Sequence, residues 1–585
     1  MIDKKSASFI QSLCMGEIEE EMILPFPRMK EAEREMLEQV ISSVDSLLSP
    51  REKDFREWDR RSEMPREFIE EMKSFGLFGL VIPEEHGGMG FGSAAYSRVL
   101  QEISKFDASV ALTVGAHSSI GMRGLLLLGT PAQRSRWLPK LATGEMIAAF
   151  CLTEPGSGSD AASVKTTALR QGDDWILNGE KLWITNGGIA DFFTVFAKTP
   201  EVKKDGKALM TAFIVTKDMP GVSVGPHEDK MGTRANSTTT VHFEDVKLPA
   251  DHVLGEVGKG FKAAMSILNA GRTGLGGGSV GGMKKLIALA TKQAKERVQF
   301  GQPIASFGLV KAKIGQMVVD AYSSEAVVRM VAGLIDQGYH DYAVEAAVSK
   351  IYSTECLWRT VDEALQVAGG NGYMREFPYE RVMRDCRINR IFEGTNEILR
   401  LFVALSAMNR VGGQLKELAS SLKGIFDDPI KGFGVLSEYA LKQASLVTGV
   451  AALGRGRTFT RLDAALEAEA RIFEDGTRDL ATAADRVLRK HGKAIIGKQF
   501  ATRRLAEMIV DLFALACTLS RVDAALKEKG REKAARELEI AKVLASQVHR
   551  RVRSNFHQID DNVDELVKSL ADDAVEREGF AWDAL

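Results

Sequence analysis

Between residues 28 and 150 apolar positions recur at helical spacing. In MPREFIEEMKSFGLFGL (64–80) Phe68, Met72, Phe75 and Leu80 sit at helical spacings, with Pro65 placed where a first turn tolerates proline. A glycine-rich loop, IPEEHGGMGFG (82–92), interrupts the pattern, and Ser135–Gly144, with Trp137 and Leu138 before Pro139, closes it. At about residue 151 the texture changes. WILNGEKLWITNG (175–187) sets Asn178-Gly179 between two strand-like runs, which predicts a hairpin turn at that pair. FFTVFA (192–197), MTAFIV (210–215) and TTTVHF (238–243) follow, so a small antiparallel domain, sandwich or barrel, is expected to end near Leu254. From Lys259 the helical period returns through GMKKLIALATKQAKERVQFG (282–301) and EAAVSKIYSTECLWRTVDEALQVAGG (345–370), as in a helical bundle. A Gly/Asp/Pro-marked stretch (420–434) reads as a linker, and 435–560 is helical again, with no solenoid repeat. The expected fold is α+β, mainly α. It comprises an N-terminal helical domain (28–150), a middle antiparallel β domain (151–255), a helical bundle (256–410) and a C-terminal helical extension (411–585).

A chain of 585 residues is too long for one core, which agrees with several domains. Lys plus Arg number 77 against 79 Asp plus Glu, so no global field favours nucleic acid. The five cysteines are scattered and never spaced C-x-x-C, which argues against a disulfide framework or a metal site and for a reducing compartment. The start, MIDKKSASFIQSLCMGEIEEEM, turns acidic too early for a targeting peptide, and the C-terminal WDAL is no peroxisomal address. No uninterrupted apolar run of about 18 residues is present. The cytoplasm is the expected location.

Several short motifs carry possible chemistry. Gly276 to Gly281 matches G-x-G-x-x-G, but FKAAMSILNAGRTGL before it is helical where a nucleotide fold requires a strand. Small residues that let helices approach closely account for it instead. In CLTEPGSGSDAASVKT (151–166) the Gly156–Ser159 region is either an ordinary turn or a loop presenting N–H groups to a ligand. In LWITNGG (182–188) strand alternation puts Trp183 and Thr185 on one face, suiting either a flat heteroaromatic ligand or a core tryptophan. RVQFG (297–301) offers Arg297 for a pyrophosphate, or merely a surface arginine beside Phe300. In RIFEGTNEILRLF (390–402) Glu393 stands between a hydrophobic pair and a helix start. Apolar surroundings raise a carboxyl pKa and a helix N-terminus lowers it, so Glu393 is either a base or a helix-starting acid.

Taken together, FCLTEPGSGSD (150–160), EKLWITNGG (180–188), ERVQFGQPI (296–304), QVAGGNGY (366–373) and IFEGTNEILR (391–400) resemble, in order, the blocks of the acyl-CoA dehydrogenase family. The opening segment and the long extension are similar to its very-long-chain branch and to a relative that helps assemble respiratory complex I. The resemblance implies FAD as cofactor, an acyl-CoA thioester as substrate, electron-transferring flavoprotein as acceptor and a homodimer. It implies that Phe150, Leu152 and Thr153 line the flavin ring, Ser159 meets the thioester arm, and Trp183, Ile184 and Thr185 pack on the flavin. Arg297, Phe300 and the Gln366, Gly369 and Gly370 loop would reach the FAD of a neighbouring subunit, with Thr395 and Glu397 completing that site. Asn269, Arg272 and Phe392 would contact substrate, and Glu393 would be the catalytic base. Some members carry the base at the position of Gly271, where this chain has no acid, and Gly308 matches the very-long-chain branch. The small residues Gly115, Ala116, Gly121 and Gly124 suit either a deep acyl cavity or close helix packing. An FAD-binding assembly protein and an acyl-CoA oxidase are the competing readings. The stretch 420–455 is a candidate for peripheral membrane contact.

Overall fold

The structure, a computed structural model, describes residues 8–202, 208–413, 415 and 458–584. Two compact units emerge, one built from Phe26–Ile398 and the other from Ser8–Pro25 together with the chain from Leu399 onward.

In the first unit, the N-terminal helices Glu31–Leu48, Glu52–Arg61, Arg66–Ser74 and Ser93–Phe106 enclose a core that includes Phe55, Trp58, Phe68 and Met72, while helix Pro131–Thr143 packs Trp137, Leu138 and Leu141 into a second core with Phe192 and Phe196. Phe75 departs from the expected stripe. The helix stops at Ser74, and Phe75 is 37% exposed at its C-cap. The Ala108–Leu128 segment is long and apolar enough to cross a membrane, yet more than half of it is buried in this unit. It is a core element whose middle, Ala116–Gly121, widens into a π turn.

Eight strands follow: β1 (Ala148–Cys151), β2 (Thr167–Gln171), β3 (Asp174–Thr185), β4 (Phe192–Val202), β5 (Ala208–Thr216), β6 (Val222–Val224), β7 (Thr238–Leu248) and β8 (Val253–Leu254). They form one sheet in the order β6-β7-β3-β2-β4-β5-β8. Pairing is mostly antiparallel, but β1 lies parallel on β4. Asn178-Gly179 is not a hairpin. It lies inside β3 at a register shift against β7, where Gly179 has φ +150° and a Cβ would meet the Thr166 hydroxyl at 2.4 Å, two reasons the position suits glycine. Asn178 instead bridges to Asp245, donating to its carboxylate and accepting from its N–H. The hairpin turn is Gly172-Asp173, between Gln171 and Asp174, with Gly172 left-handed as a two-residue loop requires.

Helices Gly260–Glu296, Gly308–Asp336 and Ala343–Ala368 complete the first unit. The G-x-G-x-x-G run is unbroken helix. A Cβ at Gly277 or Gly281 would meet the carbonyl oxygen of Ser97 or Gln101 at 2.3 and 2.0 Å, so these glycines let helix Ser93–Phe106 lie backbone to backbone.

In the second unit, helices Glu467–His491, Gln499–Lys533 and Ala535–Gln558 pack together with the short helix Phe9–Leu13, where the Phe9 and Phe513 rings lie 6.1 Å apart. The 420–455 stretch lies outside the described residues.

Candidate active site

Glu393 lies between a 3-10 turn (Ile388–Arg390) and helix Asn396–Ala407. It adopts φ +59°, a left-handed conformation that costs a non-glycine residue of order 1 to 3 kcal/mol, so its surroundings must impose it. Three contacts do. Arg272 donates from Nε and Nη2 to the Glu393 carbonyl oxygen, both at 3.4 Å. Lys350, fully buried, donates to the Gly394 carbonyl at 2.9 Å and to Asn396 Oδ1 at 2.7 Å. Thr395 Oγ1 accepts from the Ile398 N–H at 3.2 Å and so caps the helix. All three act on main chain or on neighbours. The carboxylate itself is left alone, and its buried Oε2 has no hydrogen-bond partner among the described residues. Burial raises the Glu393 pKa, with Arg272 and Lys350 pulling the other way. Burial outweighs the two cations.

The carboxylate faces a long cleft of about 130 Å³, partly open to solvent. Gly271, Gly274, Gly278 and Gly282 line it along one helix, opposite Leu100, Ala111 and Leu112. Gly115, Ala116, Ser119 and Ile120, around the π turn, line it as well, and such turns recur at functional sites. Gly121 and Gly124 do not. Their Cβ positions would strike the Ala148 carbonyl carbon at 2.7 Å and Leu254 at 2.9 Å, so they serve close packing. At Gly271 a Cβ would meet Ile120 at 2.9 Å, which leaves no room for a second acid beside Glu393.

Thr185 shares this cleft with Glu393 and Phe392. Trp183 does not follow the alternation expected of a regular strand. A register shift between Lys181 and Ile184 and φ +56° at Trp183 leave the indole 61% exposed, while Ile184 is buried. An exposed indole two residues from a cleft-lining hydroxyl is suited to a flat flavin ring, which would cover the one and bond the other. The preceding loop is pinned from below. Glu154 accepts from the Lys181 ammonium at 2.6 Å and from the Thr166 hydroxyl at 2.6 Å, and Lys181 also reaches the Leu152 carbonyl. Burial alone would raise the Glu154 pKa, but Lys181 and the N–H donors outweigh it and hold the carboxyl below its ordinary value.

The remaining predicted residues are dispersed. Leu152 is buried, and Phe150 packs on Phe196 with ring centroids 5.0 Å apart. Asn269 and Arg272 bond each other behind Glu393 and do not line the cleft. Thr153 and Thr395 are half-buried, whereas Ser159, Gln366, Gly369, Gly370 and Glu397 are exposed. Arg297 is exposed too, and Phe300 is 94% exposed at the tip of the Val298–Pro303 hairpin, its ring 6.0 Å from that of Phe307. None of these exposed residues lines the cleft. Sequence reasoning missed Lys350, Asn396, Glu154 and Lys181. A lysine within the small, apolar run EAAVSKIY was the available signal for Lys350.

The chain matches the family descriptions "Acyl-CoA dehydrogenase, N-terminal domain" over 30–145, "middle domain" over 149–246 and "C-terminal domain" over 258–408. Residues 464–580 match "ACAD9/ACADV, C-terminal domain". It is 40% identical to the mitochondrial very long-chain specific acyl-CoA dehydrogenase of Macaca fascicularis, over 98% of this chain and 88% of that one. The Homo sapiens protein of the same description is 41% identical over 90% of this chain and 80% of its own. Among solved structures, the acyl-CoA dehydrogenase complexed with FAD from Bacillus anthracis superposes with a TM-score of 0.80 at 31% identity, covering 97% of this chain and 94% of that one. Butyryl-CoA dehydrogenase from Megasphaera elsdenii gives 0.61 at 35% identity over 65% of this chain and 98% of its own. With three domain descriptions matched in order and full-length identity at this level, the chain belongs to the acyl-CoA dehydrogenase family.

Proposed function

We propose that the protein oxidises long- and very-long-chain acyl-CoA thioesters to trans-2-enoyl-CoA, with FAD as cofactor and electron-transferring flavoprotein as acceptor. The observation that carries this reading is Glu393, half-buried at the head of a long cleft whose wall is largely small and apolar residues, with its buried Oε2 unpartnered among the described residues. An α-proton of a thioester is too weakly acidic for a carboxylate in water. Burial raises the basicity of Glu393 and brings it closer to the proton it must take. The left-handed turn at Glu393 and Gly394 fixes the carboxylate against the cleft without consuming its oxygens. Phe392 and the glycine-lined helix flank it, and a bound acyl chain that displaces water from the cleft would strengthen every electrostatic interaction there. Trp183 and Thr185 would hold the flavin ring, and bound FAD supplies the acceptor for the hydride that leaves the β-carbon. The very long-chain specific relatives support the substrate class, and the glycine-lined wall, spanning several helical turns, supports a long acyl chain.

Anaerobic addition of palmitoyl-CoA to the FAD-loaded protein should bleach the flavin absorbance, and Glu393→Gln should abolish the bleaching. Normal bleaching in that variant would overturn the assignment of the base. Peroxide released in step with substrate oxidation would place the activity with the oxidases instead.

A further inference from the structure

Besides Glu393, the charged residues that line the cleft are Lys105, Asp107, Lys285, Arg381 and Asp385, and ion pairs tie Asp107, Arg381 and, through Glu52, Lys285 together at its far end. From Gly271 beside the base, the lining passes through Gly274, Gly278 and Gly282 to Lys285, about 21 Å at the helical rise of about 1.5 Å per residue. Pro378 and Arg381 close it there, and the same two residues line a second hollow of about 210 Å³ that opens to the surface beside Glu52, Arg56 and Arg375. Arg381 therefore forms the partition between the two spaces.

This partition is weakly latched. Arg381 is only 5% exposed, yet its buried Nη1 has no hydrogen-bond partner among the described residues. Its ion pairs are long, 3.7 Å to Asp107 Oδ2 and 3.5 Å to Glu52 Oε1. Glu52, half exposed, also takes the Lys285 ammonium at 3.0 Å. A methyl terminus that reaches this point meets a guanidinium already short of partners, and covering it further with hydrocarbon is unfavourable.

Resting on the reading of the cleft as an acyl site, we propose that Arg381 is its end stop, held across the end of the cleft by Glu52 and Asp107, and that it sets the longest acyl chain the protein turns over. Arg381 is a specificity determinant, and Glu52 and Lys285 are positioning residues that keep it closed. Without the latch, a longer chain continues into the surface hollow.

The test uses the full, FAD-loaded chain and a graded series of saturated acyl-CoAs, with palmitoyl-CoA bleaching checked first. In the wild type, kcat/KM should fall on the order of tenfold for each methylene beyond the stop, the cost of a methylene that a pocket cannot admit. In Arg381→Ala and in Glu52→Ala the break should move to longer chains. The kcat/KM ratio of the first excluded chain to palmitoyl-CoA should rise by about tenfold, the same per-methylene factor. Arg381→Ala removes a buried cation and is the variant exposed to misfolding. Glu52→Ala alters only the rim, and a merely structural role would not move a ratio between two substrates. A break at the same chain length in a folded Glu52→Ala or Arg381→Ala enzyme overturns the end stop and leaves the acyl reading intact. Absence of bleaching in the wild type overturns both.

Discussion

Arg272 holds Glu393 by its main-chain carbonyl, with Nε and Nη2 each 3.4 Å from that oxygen, and leaves the carboxylate free. The guanidinium is buried, its pKa lowered to about 10 by desolvation with Glu393 opposing, so it stays charged at neutral pH. A cation placed on the carboxylate itself would have lowered its basicity. Placed on the carbonyl, it fixes the turn instead.

Replacing Arg272 by Lys removes the planar fork that reaches one oxygen through two nitrogens. The left-handed turn then relaxes and the carboxylate shifts from the cleft. We expect kcat to fall by about 100-fold, the cost of a misplacement of roughly 1 Å, with KM little changed. Steady-state kinetics with palmitoyl-CoA check it; an unchanged kcat would show that the turn is held without the fork.

The pH dependence follows from the same site. The base must be ionised, so activity rises with pH through the elevated Glu393 pKa. Lys350 lowers that pKa from the other side of the turn. Lys350→Met removes a neighbouring cation, so the rising limb of kcat/KM should move to higher pH. A limb that stays in place or moves down would contradict the electrostatic role.

Lys350 should also leave a mark on stability. Burial lowers its pKa from 10.5 to about 7, so between those values the unfolded chain binds a proton that the folded protein does not. Stability attributable to Lys350 therefore rises with pH across that window. Urea midpoints of wild type and Lys350→Met, compared at about pH 6 and about pH 9, should shift in favour of the wild type at the higher pH. Parallel midpoints at both pH values would refute it.

The Lys181–Glu154 pair sits under the loop that precedes β2, with Lys181 fully buried. Lys181→Met strands a buried carboxylate and should cost about 3 to 5 kcal/mol. Urea denaturation measures this. A loss below about 1 kcal/mol, the range of an exposed pair, would mean that water replaces the ammonium.

Gly281→Ala drives a Cβ to 2.0 Å from the Gln101 carbonyl oxygen and must push the adjoining helices apart, which should cost about 1 to 3 kcal/mol or more. Gly308, the first residue of its helix, has nothing within 4 Å of its Cβ position among the described residues. Gly308→Ala should stay within about 0.5 kcal/mol of the wild type. Equal urea midpoints for the two variants would remove the packing role given to Gly281.

Much of the architecture was legible because period decides it. Helical spacing up to Thr143, β-rich runs between Ala148 and Leu254 and helical spacing from Gly260 are local properties of the chain. The readings that failed were local rules overridden by neighbours. Asn178-Gly179 carries the composition of a turn, but Thr166, just before β2, and Asp245 on β7 hold it in an irregular stretch of β3. Phe75 keeps the helical spacing, but the helix ends one residue before it. Trp183 and Thr185 obey alternation only in a regular strand, and β3 is irregular there.

At the site, the sequence alone determined the reagents: a glutamate before Gly394-Thr395, a tryptophan and a threonine two residues apart in one strand-like run, and no acid at position 271. Their states were decided by the tertiary structure. Whether Glu393 is a helix-capping acid or a base depends on burial and on where cations sit, and Arg272 and Lys350, 121 and 43 positions away in the chain, take the main chain rather than the carboxylate. Residue order carries chemistry and period. Desolvation and the direction of a hydrogen bond arise only when distant segments close around the same few atoms.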